Sequence, residues 1–321
     1  MSILRFAAAA ALALSATAAW PQAYPSKPMR MIVGFPPGGG TDIVARVISA
    51  KLQEWYNQPV VVENRPGATG TIGADFVAKS PPDGYTLIMG HVNSHGIAPN
   101  LFAKLPYDPI KDFAAVSYVG YVPNVLAVHP SVQAKSVKEL VALAKSKPGA
   151  MNYASSGNGS TQHLAGEMFK QLTGTNIVHV PYKGSGDAIK DLLGGTVNMN
   201  FDTMPPVMPH IQSAKLRGLA ISTPRRVAQL PDVPTFEEEG IRGFDVTNWY
   251  GVMAPGGTPR EVVVKLNADI NKAMQVPEVR TRLEAVGTQL REQSAADFEA
   301  FMKAEVAKYA KLIKDAGIRI E

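Results

Sequence analysis

Little except a tight turn between a strand and a helix can accommodate Phe35-Pro36-Pro37-Gly38-Gly39-Gly40-Thr41-Asp42. Before it, Met29 to Gly34 is a short apolar run of the kind a buried parallel strand shows; after it, Val44, Val47, Ile48, Leu52 and Trp55 recur at helical spacing. Two prolines stiffen the approach, and three glycines let backbone N–H groups come close to a ligand without Cβ clashes. Thr41 or Asp42 is positioned to cap the helix. The free N–H groups and the positive end of the helix dipole then face whatever occupies the crevice. A plain turn rarely needs three successive glycines, so the stretch reads as an anion cradle.

The chemistry of an enzyme is missing from this loop. It lacks the Gly-Lys-Ser/Thr of a phosphate-binding loop, the G-x-G-x-x-G of a dinucleotide site and the G-x-S-x-G of a serine nucleophile elbow. The chain also has no cysteine and no H-E-x-x-H, so neither a thiol nucleophile nor a zincin site is available.

The strand–turn–helix pattern repeats. Val60 to Glu63 is a second strand, and Asn64 to Thr71 is a Gly-rich turn into a helix through Ile72, Phe76 and Val77. Tyr85 to Gly90 is a third strand, with His91 to Gly96 as a polar loop at its carboxyl end, where open parallel sheets bind ligands. His91 and His95 have no third ligand nearby and are assigned to the loop rather than to a metal. Ala114 to Tyr121 and Val125 to Val128 read as two strands, and Val122-Pro123-Asn124 between them as the crossover to a second domain. Ser136 to Glu139 is a capping box that opens the next helix.

A second cradle follows the strand Met151 to Ala154: Ser155-Ser156-Gly157-Asn158-Gly159-Ser160-Thr161, then a helix from Gln162 through Leu172. It offers hydroxyl donors that the first cradle lacks. His163 sits in the first helical turn without a nucleophile or an orienting acid beside it, which favours hydrogen bonding over general-base work. Pro181 to Gly186 is a third Gly-rich turn, and the strand Val197 to Phe201 brings Asp202 to the crevice, either as a ligand contact or to tie a loop. Thr235 with Glu238 starts a short helix, and Val246 to Ala254 returns the chain to the first domain. Thr258 and Glu261 form a capping box. Helices Pro277 to Val286 and Ala295 to Ala316 follow, the last with an apolar side of Ala300, Phe301, Ala304, Ala307, Tyr309 and Ile313 and an end at Gly317.

Of 321 residues, 45% are hydrophobic and 18% charged, the balance of a globular chain with room for two domains. Residues 1–23 differ: Arg5, an Ala/Leu-rich run and small residues mark a secretory signal peptide, cut after Ala18 or Ala23. The net charge of +5 is spread along the chain and is not interleaved with aromatics, so nucleic acid is not a partner. Paired Gly-rich turns at helix N-termini, one per domain, suit a small carboxylate in a cleft that closes by a hinge.

Seven motifs in order resemble the extracytoplasmic solute receptors of tripartite tricarboxylate transporters, the Bug family. They are Phe35 to Asp42, Val62 to Gly67, Pro82 to Tyr85, Tyr107 to Pro109, Tyr153 to Ser160, His179 to Gly184 and Asp232 to Thr235. The resemblance covers essentially the whole mature chain. It implies an α/β, two-domain periplasmic-binding-protein (Venus-flytrap) fold, each domain a mixed, mostly parallel sheet flanked by helices. The expected division is 24–122 plus 247–321 and 123–246, with the ligand cleft between. It further implies a periplasmic, monomeric receptor, without cofactor, metal or catalytic residues, that passes a small carboxylate to membrane permease subunits. By motif, ligand contact falls to Gly38, Gly39, Thr41 and Asp42, to Ser156, Gly159, Ser160 and His163, and to Asp202. The alternatives are a ligand-loaded co-receptor for a sensor protein and an enzyme using His163 as base.

Overall fold

A computed structural model describes residues 24–244, 246–285 and 287–315. The expected signal peptide, the helix end at Val286 and the final stop at Ala316-Gly317 lie outside the described residues.

The apolar run before the first cradle is β1 (Met29–Val33), almost wholly buried between its parallel neighbours β2 (Val60–Asn64) and β3 (Thr86–His91). Between β1 and β2 lies α1 (Gly40–Tyr56). Val44, Ala45, Val47, Ile48 and Leu52 form its buried stripe, and Asn57 in the left-handed region ends it. At about 1.5–3 kcal/mol for each large apolar side chain fully buried, this stripe holds the helix to the sheet more firmly than helix propensity could. The β2–β3 connection carries α2 (Thr71–Ala78).

Residues 91–96, expected as a polar loop, are buried. A π-helical turn, Asn93–Ile97, runs into α3 (Ala98–Leu101), and several of its polar groups are bonded inside the protein. His91 Nδ1 accepts from Asn93 N at 3.1 Å, and Asn93 Oδ1 accepts from Thr161 N at 2.9 Å.

The two strands expected around Val122-Pro123-Asn124 are one: β4 (Phe113–Val128) passes straight through. Pro123 lies opposite Thr247 at the end of the ladder between β4 and β9 (Thr247–Pro255), a place where a missing N–H costs little.

Beyond β4, the chain builds α4 (Val137–Ser146), β5 (Asn152–Ser155), α5 (Thr161–Thr173), β6 (Val178–Pro181), α6 (Ser185–Leu193), β7 (Met199–Thr203), α7 (Met204–Gln212) and β8 (Arg217–Ile221). After β9 come α8 (Arg260–Gln275), α9 (Pro277–Ala285), the short β10 (Gln289–Leu290) and α10 (Ala295–Asp315). The sheet order is β2-β1-β3-β9-β4-β7-β5-β6, with β8 and β10 also paired to β4. Pairing is parallel among β1–β3 and among β5–β7, and antiparallel where β4 and β9 run between them. Two lobes result. In the first, α1, α8 and α9 cover one sheet face and α10 the other. In the second, α4 and α5 pack around Tyr153, Phe169, Phe201 and Phe236.

Three local expectations are corrected. Thr235 and Glu238 do bond reciprocally, at 3.1 and 2.8 Å, but no helix follows; the box closes an isolated turn. Thr258 donates to Pro255 O instead of capping, and α8 starts at Arg260 without a side-chain cap. On α10 the buried stripe is Phe298, Met302, Glu305, Tyr309 and Ile313, while Ala300, Ala304 and Ala307 are exposed. Glu305 belongs to the stripe because it accepts from the buried Trp249 Nε1 at 3.2 Å.

Candidate functional site

The β1–α1 turn reaches the cleft through Phe35, Pro36 and the start of α1. Gly38 takes φ +85°, which favours glycine, and Gly39 occupies the cap position with extended backbone. No side chain caps α1, so its first-turn N–H groups stay open toward the cleft. Thr41 and Asp42, expected as alternative caps, lie inside the first turn.

Asp42 turns away to hold the loop. It accepts from Gly38 N at 3.0 Å, from Arg46 Nε at 2.9 Å and from Asn64 Nδ2 at 2.9 Å. Burial alone would raise its carboxyl, but these donors, Arg46 foremost, keep it below the ordinary carboxylate range.

In the second lobe, Ser160 caps α5 by accepting from His163 N at 3.2 Å. Gly159 N donates to His163 Nδ1 at 3.1 Å, and the His163 ring stacks on His179 with centroids 4.1 Å apart. His179 Nε2 lies 2.6 Å from Ser155 Oγ, which in turn accepts from Gly157 N at 3.1 Å. The two imidazoles therefore fix the backbone of the second cradle from behind. Burial lowers the pKa of both, that of His179 to about 4.

Asp202, at the end of β7, is fully buried. It accepts from Ser185 Oγ at 2.8 Å, Gln162 Nε2 at 3.0 Å, Thr203 N at 2.7 Å and Asn200 Nδ2 at 2.9 Å. Burial raises its carboxyl in spite of these donors. Its main effect is on Gln162, whose Oε1 is then turned to accept from Ser156 Oγ at 2.9 Å.

The two loops, the start of α6 and the floor strands surround a narrow inner cavity of about 30 Å3. From the first lobe, Gly39, Gly40 and Thr41 line it at the α1 N-terminus, with His91 and Asn93 beside them. From the second lobe, Ser156, Gln162, Ser185, Gly186 and Thr203 line it, and Tyr250 of β9 closes the floor. Of the residues expected from sequence, Gly39, Thr41 and Ser156 are at the wall. Gly38, Asp42, Gly159, Ser160, His163 and Asp202 stand one layer behind, holding the loops that form it. His91, Asn93, Gln162, Ser185 and Tyr250 are wall residues that the sequence does not single out as ligand contacts.

The donors here are neutral. His91 accepts at Nδ1, which puts its ring proton on Nε2, and burial holds its pKa near 3. Its ring lies against Tyr250, 5.4 Å between centroids. The fully buried Tyr250 hydroxyl has no hydrogen-bond partner of good geometry among the described residues. It sits so close to Gly40 that a Cβ there would overlap it. Asn93 uses its oxygen on Thr161, leaving its N–H2 for the cavity. Among the described residues, no lysine or arginine lines this space. His95, four residues from His91, packs into Phe113 and Tyr107 instead, and no metal-holding cluster of His, Asp and Glu occurs among the described residues.

Two lobes joined by through-running strands, with an enclosed cavity of neutral donors between them, define a binding protein of the periplasmic type. Residues 44–318 match the family described as "Tripartite tricarboxylate transporter family receptor", and the chain belongs to that family. It is 40% identical over 299 residues to protein BugT of Bordetella pertussis, covering 93% of this chain and 92% of that one. A Rhodopseudomonas palustris protein solved with adipate superposes with TM-score 0.90 at 37% identity, covering 92% of this chain and 99% of that one. MatC from the same species, with bound malate, gives 0.86 at 33%, covering 90% and 100%.

Proposed function

We propose that this chain is exported to the periplasm, captures a small carboxylate in the inner cavity and delivers it to the membrane permease subunits of a tripartite transporter. The observation that carries the proposal is the buried Tyr250 Oη, which has no hydrogen-bond partner of good geometry among the described residues, beside the open N-terminus of α1. A buried donor left unpaired costs about 1–3 kcal/mol, so its persistence calls for an acceptor supplied from outside. Neutral donors and helix ends satisfy a carboxylate without committing it to a fixed ion pair, which suits a ligand that must be released. The relatives bound to adipate and malate support the same ligand class.

In this proposal, Gly39, Gly40, Thr41, His91, Asn93, Ser156 and Tyr250 touch the ligand. Gly38, Asp42, Gly159, Ser160, His163 and Asp202 hold those residues in place. The lobes are residues 24–122 with 247–321 and residues 123–246, and the receptor works as a monomer without a cofactor. Turnover is not part of the proposal: His163, the base that catalysis would need, is engaged by Gly159 and stacked on His179 behind the wall.

Melting curves of ligand-stripped protein against a panel of small carboxylates test the proposal. Ligand at a hundred times its Kd adds about 2.7 kcal/mol, a clear shift. A panel that moves nothing would refute it.

A further inference from the structure

The inner cavity does not end the cleft. Pro36 of the first lobe and Ser156 of the second also line a larger outer pocket of about 700 Å3 at the cleft mouth. Its first-lobe wall is the β2–α2 loop, where Gly67, Ala68, Thr69 and Gly70 take φ of +137°, +44°, +59° and +93°. Two of these four are not glycine, a conformation that L-residues hold only when the surroundings enforce it, and such segments gather at binding sites. Thr69 supplies one such tie, since its hydroxyl donates across the cleft to Asn158 O at 2.7 Å.

The pocket's chemistry differs from that of the inner cavity. Phe102, partly exposed just past α3, faces it together with Pro66 and Ala68. On the opposite side, the Tyr182 hydroxyl is committed to Asp191 at 2.7 Å, so Tyr182 brings mainly its ring. The two charged side chains at the rim, Lys183 and Asp187, are of opposite sign, and Asp187 is already paired with Lys190 at 3.1 Å. With Asp187 so paired, Lys183 is the one rim charge without an ion-pair partner among the described residues, and Pro66, Ala68, Phe102 and the Tyr182 ring supply apolar surface.

The inner cavity is far smaller and has donors around its wall, which suits a headgroup, and Pro36 and Ser156, common to both walls, mark where a longer carbon skeleton would pass. We infer that the ligand is a monocarboxylate whose apolar tail, a ring or an alkyl chain, lies in the outer pocket against Phe102, Ala68, Pro66 and Tyr182. The inference rests on the carboxylate site proposed above and adds the class of tail.

Calorimetry of the stripped protein with acetate, hexanoate, 3-phenylpropanoate and adipate tests it. Hexanoate and 3-phenylpropanoate should each bind at least about tenfold more tightly than acetate, the return for burying several methylenes or a ring. Phe102→Ala should weaken 3-phenylpropanoate by about tenfold and leave acetate unchanged, while Lys183→Ala should alter neither. Adipate binding more tightly than hexanoate, with that advantage lost in Lys183→Ala, would overturn the apolar tail in favour of a second carboxylate. Equal affinity of Phe102→Ala and the parent for 3-phenylpropanoate would overturn it as well. If none of the four acids binds the parent, the carboxylate site itself fails and the tail pocket with it.

Discussion

Gly184→Ala should separate closure of the cleft from stability of the lobes. Gly184, in the β6–α6 turn, has φ 174°, extended backbone that alanine adopts freely, so the substitution carries no backbone strain. The added Cβ would meet the Pro36 ring of the opposite lobe, with Cδ at 2.8 Å and Cγ at 2.9 Å. That is about half an ångström or more inside ordinary van der Waals contact, and Pro36 is a rigid ring on a stiff loop. Overpacking of this kind costs about 1–3 kcal/mol, here set against the closed arrangement alone. Affinity should fall in proportion to the lost closed population, roughly five- to 150-fold, while each lobe melts as before. Calorimetry gives the affinity, and small-angle scattering gives the change in radius of gyration on adding ligand. Pro36→Ala removes both offending ring carbons, so the double variant should recover much of the lost affinity. Unchanged affinity in folded Gly184→Ala, or a double variant no better than the sum of the singles, would refute the contact as the limit on closure.

Tyr250→Phe removes a hydroxyl with no hydrogen-bond partner of good geometry among the described residues, so the melting temperature should hold while carboxylate affinity drops roughly ten- to a hundredfold, the worth of a hydrogen bond to a charged group. An equal loss of stability would mean that the hydroxyl serves the fold. Gly39→Val should fold, since Gly39 has φ −79° and its Cβ would have only Pro36 O within 4 Å, at 3.8 Å, yet it should not bind, because the branched side chain would fill the cavity wall. Stability should fall as pH drops from about 6.5 to about 4. His91 and His95 are held near 3 and His179 near 4 by burial, so below 6.5 the unfolded chain takes up protons that the fold refuses, and each such imidazole costs about 1.4 kcal/mol for every further drop of one in pH. Asp202, raised by burial, opposes this in part. A melting temperature flat between pH 7 and 4.5 would contradict the neutral imidazoles. Intact mass of periplasmic material should lack the first 18 to 23 residues.

Much of the alternation of strands and helices was legible in the sequence because β1, β2, β5 and β6 are short runs followed by Gly-rich turns, and the α1 cradle followed from Pro36 to Gly40. What was not legible depended on partners distant in sequence. Asp42 looks like a ligand residue beside three glycines, yet Arg46 at i+4 was a local hint of its true partner. His91 to Gly96 looks like a loop because it is polar, and only Thr161, 68 residues from Asn93, explains how such a segment can be buried. Gln162 carried no recognisable pattern, since its orientation comes from Asp202 on another strand. The β4 crossing was obscured by Pro123, which ordinarily argues against a strand interior.

The ladder between β4 and β9 lies in the first lobe and ends at Pro123 opposite Thr247, so the two strands pass side by side to the second lobe and the lobes are joined there by a two-ply ribbon rather than a single swivelling linker. Such a ribbon bends across its thin direction but resists torsion, much as a leaf spring does. Opening is thereby confined to a narrow arc, and on every return Pro36 meets Gly184 and Thr69 meets Asn158 in the same alignment, so the receptor need not search for its closed form.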